Sequence, residues 1–473
     1  MAHGRLCGLA KFLCSSRLSL FSWCSLLGSE GLSGYRGLAL EVLSRAGVEI
    51  GDLIRIKRNG DLFEGTLMPR SEYGDDLHVV IKLKSGYNIG VRVSKDTVIE
   101  RVGAGEKPSF VPPPPPPSRP ELPRISFIST GGTIASRVDY RTGGVRAALS
   151  AEDLHSVVPE LSDIATVEAE ILFSLFSENL TPKHWAEIAR VVAERLKRGV
   201  AGVVVAHGTD TMAYTASALS FSLQGLPAPV ILVGSQRSSD RPSSDAATNL
   251  IGATVAAVQA PFAEVAVAMH EGTGDEAIAI HRGTRVRKCH TSRRDAFRSI
   301  NISPIARVVE GKLQMLVDDY TPRDKERELT LLNKFDERVA LVKFHPGMNP
   351  ALIEWLVDEG YRGIILEGTG LGHVGNYCFE AVRRAVKEGV VVCMTSQCIW
   401  GRVNMNVYDT GRDLLAIGVI PLEDMLSETA LVKLMWILGS MTQDPEEAKK
   451  LMLRNFAREI NPRSPIDSTA PSW

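Results

Sequence analysis

After Pro123 the sequence repeats one pattern: a short apolar, β-prone run, a polar loop rich in Gly, Ser and Thr, and a helix-like stretch. Arg124–Ser129, Val200–Ala206 and Val230–Val233 are such runs, and Ser243–Val258 is one of the helix-like stretches. Strands that alternate with helices predict a parallel sheet whose two faces are covered. Ligands bind such sheets at loops beyond the carboxyl ends of the strands, so a functional site is expected in these loops.

The same pattern starts again near residue 338, which predicts a second α/β domain. Its three strand-then-loop units are Val339–Met348, Gly363–Gly372 and Val390–Cys398. We expect the first α/β domain over residues 124–330 and the second over 331–443. Residues 444–473 are expected to form a charged helix and a tail rich in Pro and Ser.

Residues 41–104 show a different pattern of short alternating runs, which predicts a small β-barrel. Asn59-Gly60-Asp61 is a strong hairpin signal, and Ser85-Gly86 predicts a second hairpin turn. Residues 47–102 contain nine Lys or Arg and nine Asp or Glu, so this domain lacks the positive excess that phosphate binding requires. Docking onto a partner is therefore favoured over independent capture of RNA.

Residues 105–123 predict a linker, because six consecutive prolines, Pro112–Pro117, form a stiff polyproline II spacer. A ligand for an SH3-type domain is the alternative for this segment. Residues 1–40 differ from the rest of the chain and are interpreted as an extension. It could be a targeting segment, a disordered tail or the result of an over-long start-site assignment.

Composition excludes several classes of function. The formal net charge is −1, so no global field attracts nucleic acid or an anionic membrane. No apolar stretch of about 18 residues or more indicates a membrane span. The seven cysteines lack the CxxC spacing of a metal site and are too few for a disulfide framework, which predicts a cytoplasmic protein without a metal.

The loop after the first strand, Ser129–Ser136, contains Gly131-Gly132-Thr133. Two glycines let the backbone approach a ligand and direct N–H groups at an oxyanion, and a threonine beside them can attack a carbonyl if a base activates it. A phosphate-binding loop or an ordinary turn would contain the same residues, although the GxxxxGK[ST] pattern of a P-loop is absent.

Two further segments carry reactive groups. His207-Gly208-Thr209-Asp210 places a hydroxyl beside a carboxylate at a strand end, but either side chain could instead cap the following helix. Lys288 could act as a base if its surroundings favour the neutral amine, and Arg285 and Arg287 supply positive charge nearby in sequence. The alternative for this segment is a solvated basic loop, and His290 is interpreted as structural.

The combination of Thr130–Ser136 (TGGTIAS) with His207–Met212 (HGTDTM) resembles the asparaginase and glutaminase family over roughly residues 124–440. The resemblance implies an asparaginase-type two-domain parallel-sheet core, preceded here by the small β-barrel. It also implies that Thr133 is the nucleophile and that Tyr140 helps to activate it. Finally, it assigns catalytic and substrate-binding roles to seven other residues. Those expected in catalysis are Thr209, Asp210 and Lys288, and those expected to bind the substrate are Ser177, Glu178, Gly132 and Gly208.

The implied chemistry is acyl transfer from the side-chain amide of L-glutamine or L-asparagine, with release of ammonia and without a cofactor in this chain. A small barrel on a proline-rich linker precedes the core, and the second half of the chain contains GRVNMNVY (Gly401–Tyr408) and GTGLGHV (Gly368–Val374). In these features the chain resembles the D subunits of the archaeal glutamyl-tRNA(Gln) amidotransferases. That resemblance implies a homodimer of this chain and a partner E subunit. The partner would use ATP and Mg²⁺ to activate Glu-tRNA(Gln). The alternatives are a free-standing L-asparaginase and a non-catalytic scaffold.

Overall fold

The computed structural model describes residues 32, 34–58, 60–70, 75–83, 88–104, 121–132, 134, 136–138, 145–147, 158–237 and 244–464. The chain divides into two compact units. The first consists of Met1–Val111 with Val138–Val145, and the second of Pro112–Arg137 with Arg146–Trp473. No helix within the described ranges is long and apolar enough to cross a bilayer.

The first unit is an antiparallel sheet packed against one helix. Its elements are α1 (Gly37–Arg45), β1 (Leu53–Arg58), β2 (Asp61–Leu67), β3 (His78–Lys82), β4 (Asn88–Arg92) and β5 (Val98–Gly103). The strand order is β4-β3-β2-β1-β5, so β4 and β5 are the outer strands. Alternate residues of β1 and β3 point into the core, as Ile54, Ile56, Val79 and Ile81 are fully buried. A small antiparallel β domain is therefore confirmed.

Helix α1 was not expected from the sequence. It crosses the boundary that we placed at residue 41, and its residues Ala39, Val42 and Leu43 pack into the core of the sheet. The hairpin predicted at residues 59–61 is present, because Arg58 pairs with Asp61. Strands β3 and β4 also pair, although the turn residues Ser85 and Gly86 lie outside the described residues.

The second unit contains a mixed sheet of eight strands. The strands are β6 (Arg124–Gly131), β9 (Thr166–Leu175), β10 (Gly202–Ala206), β12 (Val230–Val233), β13 (Val265–His270), β14 (Ala277–Arg282), β17 (Ala306–Val309) and β18 (Lys312–Met315). Their order in the sheet is β18-β17-β14-β13-β12-β10-β6-β9. Strands β9, β6, β10, β12 and β13 are parallel, and the remaining three are antiparallel. The helices of this part are α2 (Leu161–Ile164), α3 (Pro182–Lys197), α4 (Met212–Ser222) and α5 (Ala246–Gln259).

The described residues also form three short two-stranded ribbons. They pair β7 (Ser136–Val138) with β8 (Val145–Ala147), β11 (Leu223–Gln224) with β19 (Thr330–Leu331), and β15 (Val286–Lys288) with β16 (Phe297–Ser299). Apolar clusters line both faces of the large sheet. The covered parallel sheet predicted from the repeating pattern is therefore confirmed.

A second sheet of four parallel strands follows in the same unit. Its strands are β20 (Val339–Lys343), β21 (Gly363–Gly368), β22 (Val391–Ser396) and β23 (Ile420–Pro421), and they lie in this order in the sheet. Its helices are α6 (Ala351–Asp358), α7 (Phe379–Lys387), α8 (Asp409–Ile417), α9 (Ser427–Trp436) and α10 (Pro445–Leu453). Strands β20, β21 and β22 lie within the three strand-then-loop units expected from the sequence, and α10 is the charged helix expected after residue 444.

Candidate active site

Three of the expected catalytic side chains meet at the carboxyl end of β10. Lys288 Nζ donates a hydrogen bond to Thr209 Oγ1 at 2.9 Å and to Asp210 Oδ1 at 2.7 Å. The Lys288 side chain is 13% exposed and that of Asp210 is 69% exposed. The ammonium group is thus mostly withdrawn from water and is held by a carboxylate that remains solvated.

The Thr209 hydroxyl is left with a proton to donate. A lysine ammonium has donors only, so Thr209 Oγ1 accepts from Lys288 and its own hydrogen can point towards a substrate. The structure does not use Thr209 or Asp210 as a helix cap, because α4 begins after Thr211 and no side chain caps it. Thr211 instead donates to the Ser177 carbonyl at 2.8 Å. The geometry thus favours the reactive interpretation of this loop.

Glycines allow the neighbouring loops to pack backbone against backbone. Gly132 has φ +83°, and a Cβ at this position would lie 2.5 Å from the N and Cα atoms of Gly208. A Cβ on Gly208 would in turn lie 2.7 Å from Ser177 Cβ. Thr130 Oγ1 also donates a hydrogen bond to the Ala206 carbonyl at 2.9 Å, which links the carboxyl ends of β6 and β10. Three separate loops therefore converge next to Thr209, within the second motif.

The two remaining catalytic candidates, Thr133 and Tyr140, lie outside the described residues and stay predictions. Gly132 directly precedes Thr133 in the sequence and lies against the Thr209 loop. Ser177 and Glu178 lie in a 3₁₀ turn, Ser177–Asn179, that follows β9. Ser177 is buried beside Gly208 whereas Glu178 is exposed, and their predicted roles in substrate binding also remain predictions.

The loop of the second motif is held in place by a neutral histidine. His207 is fully buried, and burial lowers its pKa to about 4. Its Nδ1 lies 2.6 Å from the Gly208 carbonyl and its Nε2 lies 2.8 Å from Thr215 Oγ1. A neutral ring can donate from Nδ1 and accept at Nε2, so both contacts are satisfied without a charge.

The arginines near Lys288 do not add free positive charge to the site, contrary to our expectation from the sequence. Arg285 is fully buried and bonds both carboxylate oxygens of Asp424, at 3.0 and 3.1 Å. Arg287 pairs with Glu428 at 3.2 Å. The sequence could not reveal these acids, because they are more than a hundred residues away. The basic segment is consequently an anchored hairpin and not a solvated loop.

His290 has the structural role that we expected, since its Nδ1 accepts hydrogen bonds from the backbone N–H groups of Ser292 and Arg293. Across the described ranges, no group of three or more His, Cys, Asp or Glu side chains is arranged to hold a metal ion. The described part of the site contains the Thr209 hydroxyl, a lysine, a carboxylate and closely packed backbone. Groups of these kinds take part in acyl transfer.

Known proteins share this architecture. Residues 124–320 match the family model "Asparaginase, N-terminal", and residues 338–452 match "Glutaminase/Asparaginase C-terminal domain". The thermostable L-asparaginase from Thermococcus kodakarensis has a TM-score of 0.65 at 35% identity, over 72% of this chain and 100% of that one. L-asparaginase I from Vibrio cholerae has a TM-score of 0.63 at 29% identity, over 72% and 99% of the two chains. The second unit thus has the fold of the asparaginase class.

The similarity to one group of relatives extends over both units. Residues 48–102 match the model "GatD N-terminal domain". The D subunit of glutamyl-tRNA(Gln) amidotransferase from Pyrococcus furiosus is 55% identical over 430 residues, which are 89% of this chain and 97% of the relative. The D subunit from Methanopyrus kandleri is 54% identical over 91% of this chain and 95% of its own. The chain belongs to the family of glutamyl-tRNA(Gln) amidotransferase D subunits.

Proposed function

We propose that this chain releases ammonia from the side-chain amide of L-glutamine or L-asparagine, as the amidohydrolase subunit of a tRNA-dependent amidotransferase. One observation carries the proposal. Lys288, Thr209 and Asp210 come from elements about 79 residues apart, yet they form a hydrogen-bonded group where Gly132 packs against Gly208. The membership of the chain in the D-subunit family supports the same conclusion.

The reaction begins when the hydroxyl oxygen of Thr133 attacks the carbonyl carbon of the substrate amide. Its proton passes to Tyr140, or through the Thr209 hydroxyl to Lys288 when that lysine is in its neutral amine form. The new C–O bond places negative charge on the former carbonyl oxygen, which backbone N–H groups and the free hydrogen of Thr209 stabilise. The C–N bond then breaks, and the departing amine takes up the proton and leaves as ammonia. Water attacks the acyl-enzyme, which releases the acid and restores the Thr133 hydroxyl.

Asp210 has a defined part in this scheme. Its carboxylate holds Lys288 at 2.7 Å and thereby fixes the ammonium against Thr209 Oγ1. Because the Lys288 ammonium donates to Thr209 Oγ1 from a fixed position, the Thr209 hydroxyl is oriented before the substrate arrives. Little reorganisation is then needed in the transition state. The α-amino and α-carboxylate ends of the substrate would be bound by Ser177, Glu178, Gly132 and Gly208.

The wider assembly is also part of the proposal. The ammonia would convert Glu-tRNA(Gln) to Gln-tRNA(Gln) on a partner E subunit, which would use ATP and Mg²⁺. Two copies of this chain would form the core of a cytoplasmic complex, and the first unit would dock onto a partner. The two solved asparaginases match only 72% of this chain. The part of the chain that they leave unmatched favours a subunit of a complex over a free-standing L-asparaginase.

The test compares Lys288→Met with Lys312→Met. The first change removes the ammonium but keeps an apolar side chain, and Lys312 is an exposed residue at the sheet edge. We expect Lys288→Met to lower kcat for ammonia release about 10²–10³-fold, the usual cost of disabling one oxyanion donor. Lys312→Met should retain the wild-type rate. Equal rates in the two variants would remove Lys288 from the mechanism.

A further inference from the structure

A chain of polar contacts leads from the protein surface to the loop that adjoins Thr209. Its centre is His270, the last residue of β13, which is fully buried. His270 Nδ1 lies 2.6 Å from Asn249 Oδ1, and His270 Nε2 lies 3.1 Å from Asp275 Oδ1. None of these three residues was singled out from the sequence, because they are separated along the chain by up to 26 positions.

The orientation of the Asn249 amide is fixed by its other contacts. Its Nδ2 lies 2.9 Å from the Gly234 carbonyl and 3.1 Å from the carboxylate of Asp245, which both only accept. The nitrogen must therefore face these two groups, and the oxygen must face His270. It follows that His270 Nδ1 carries a hydrogen and donates it to Asn249 Oδ1.

The second nitrogen of His270 also faces an acceptor, the carboxylate of Asp275. A ring that donates from both nitrogens is an imidazolium. His207, which directly follows β10, provides a contrast, since its ring faces one carbonyl and one hydroxyl and needs only one hydrogen. The hydrogen bond from His270 is also the largest cause of the lowered pKa of Asp275.

One end of this chain of contacts reaches the Thr209 loop. Asn249 holds the Gly234 carbonyl, and Asp245 accepts from the backbone N–H groups of Gln236 and Arg237. The backbone at Gly234 is in close contact with the second motif, because a Cβ there would lie 2.7 Å from Thr209 Cγ2. A shift of Gly234 would therefore be transmitted directly to Thr209.

The other end reaches the hairpin that carries Lys288. Asp275 accepts from Arg294 Nη1 at 2.8 Å, and Arg294 lies in the loop that joins β15 to β16. The charged groups around His270 in this network are Asp275, which contacts its ring, Arg294, which pairs with Asp275, and Asp245, which is reached through Asn249. The polar contacts thus link the loop of Thr209 to the hairpin of Lys288 along a route separate from their direct hydrogen bond.

We propose that His270, as an imidazolium, is a positioning residue that holds the Thr209 loop and the Lys288 hairpin in the relative position needed for amide hydrolysis. The inference rests on the proposed function of this site. His270 acts through its two contacts, one with Asn249 and one with Asp275. His270 itself touches neither the substrate nor the reacting atoms.

The kinetic test uses His270→Gln, whose side chain can donate only from one end, and Asp275→Ala. Asp275 is exposed on the surface, so its removal should leave folding intact, and Asp318→Ala changes another exposed aspartate as a control. We expect kcat for ammonia release to fall about 10-fold in His270→Gln and several-fold in Asp275→Ala. KM should change less than kcat, and Asp318→Ala should behave as wild type.

A double-mutant cycle separates positioning from a general structural effect. In a Lys288→Met background, His270→Gln should lower the residual rate by less than about 2-fold, because one of the two groups whose relative position it sets is already absent. If His270→Gln lowers the rate by the same factor in both backgrounds, the positioning role is overturned. Wild-type rates in both His270→Gln and Asp275→Ala would overturn it as well.

The charge state has its own measurement on the wild-type protein. In ¹H-coupled ¹⁵N NMR of labelled histidines near pH 7, both ring nitrogens of His270 should show a directly bonded proton, and only one nitrogen of His207 should do so. A single protonated nitrogen in His270 would overturn the imidazolium. If the spectrum is as expected but the wild-type protein releases no ammonia, the proposed function fails while the charged network stands.

Discussion

The contact between Gly132 and Gly208 gives a quantitative prediction for Gly132→Ala. The new Cβ would lie 2.5 Å from two backbone atoms of Gly208, whereas ordinary contacts begin at 3.4 Å. Relief of the clash requires the two loops to separate by about 0.9 Å. Since Thr209 follows Gly208 directly, this movement displaces the hydroxyl to which we assign a catalytic role. A misplacement of about 1 Å can cost about 10²-fold in rate, so kcat for ammonia release should fall by that factor.

The same substitution also strains the backbone, because alanine at φ +83° costs roughly 1–2 kcal/mol. Gly199→Ala separates strain from displacement. Gly199 has φ +76°, and a Cβ there would meet nothing within 4 Å. Both variants should lose unfolding free energy in urea titrations, Gly132→Ala at least as much as Gly199→Ala, but only Gly132→Ala should lose activity. A Gly132→Ala enzyme with the wild-type kcat would refute the close packing of these loops.

Three other predictions concern stability and assembly. First, the free energy of unfolding should decrease by up to about 3 kcal/mol as the pH falls from about 6.5 to about 4. The pKa of His207 is near 6.5 when unfolded and about 4 when folded, so the unfolded state binds the extra proton. Urea titrations at pH 7 and pH 5 test this, and equal stabilities would contradict it. Second, Lys433→Met should cost roughly 3–5 kcal/mol, because it leaves the fully buried Glu459 carboxylate without its cation. The double variant Lys433→Met/Glu459→Gln should recover part of this loss, and a Lys433→Met protein as stable as wild type would show that the pair contributes nothing. Third, removal of residues 1–104 should leave ammonia release intact while weakening association with the partner E subunit, as measured by calorimetry. Unchanged affinity would show that the first unit does not dock there.

Local patterns were sufficient to predict the parallel strands. Val230–Val233 is a strand with the bounds expected from the sequence, and the loops after β6 and β10 meet as the carboxyl ends of neighbouring parallel strands must. The motifs around Gly132 and Thr209 then identified two of the converging loops. These features depend on residues that are close in sequence, so a single chain reveals them.

Features that depend on distant partners could not be predicted in this way. The segment around Arg285 has the composition of a solvated basic loop, and only the fold brings Asp424 to it from 139 residues away. His270 ends an apolar strand, and its sequence neighbours give no sign that Asn249 and Asp275 bracket its ring. Helix α1 begins inside the segment 1–40, whose composition differs from the rest of the chain, although Ala39 and Val42 mark it with apolar side chains at helical spacing.

The most direct test of the central claim measures ammonia release from L-glutamine and L-asparagine by this chain. The assay is run alone and with an E subunit, Glu-tRNA(Gln), ATP and Mg²⁺. The account predicts strong stimulation in the complete mixture and formation of Gln-tRNA(Gln), both lost in Lys288→Met. Full activity of the chain alone, with asparagine preferred and no response to the partner or the tRNA, would contradict it and would indicate a free-standing asparaginase.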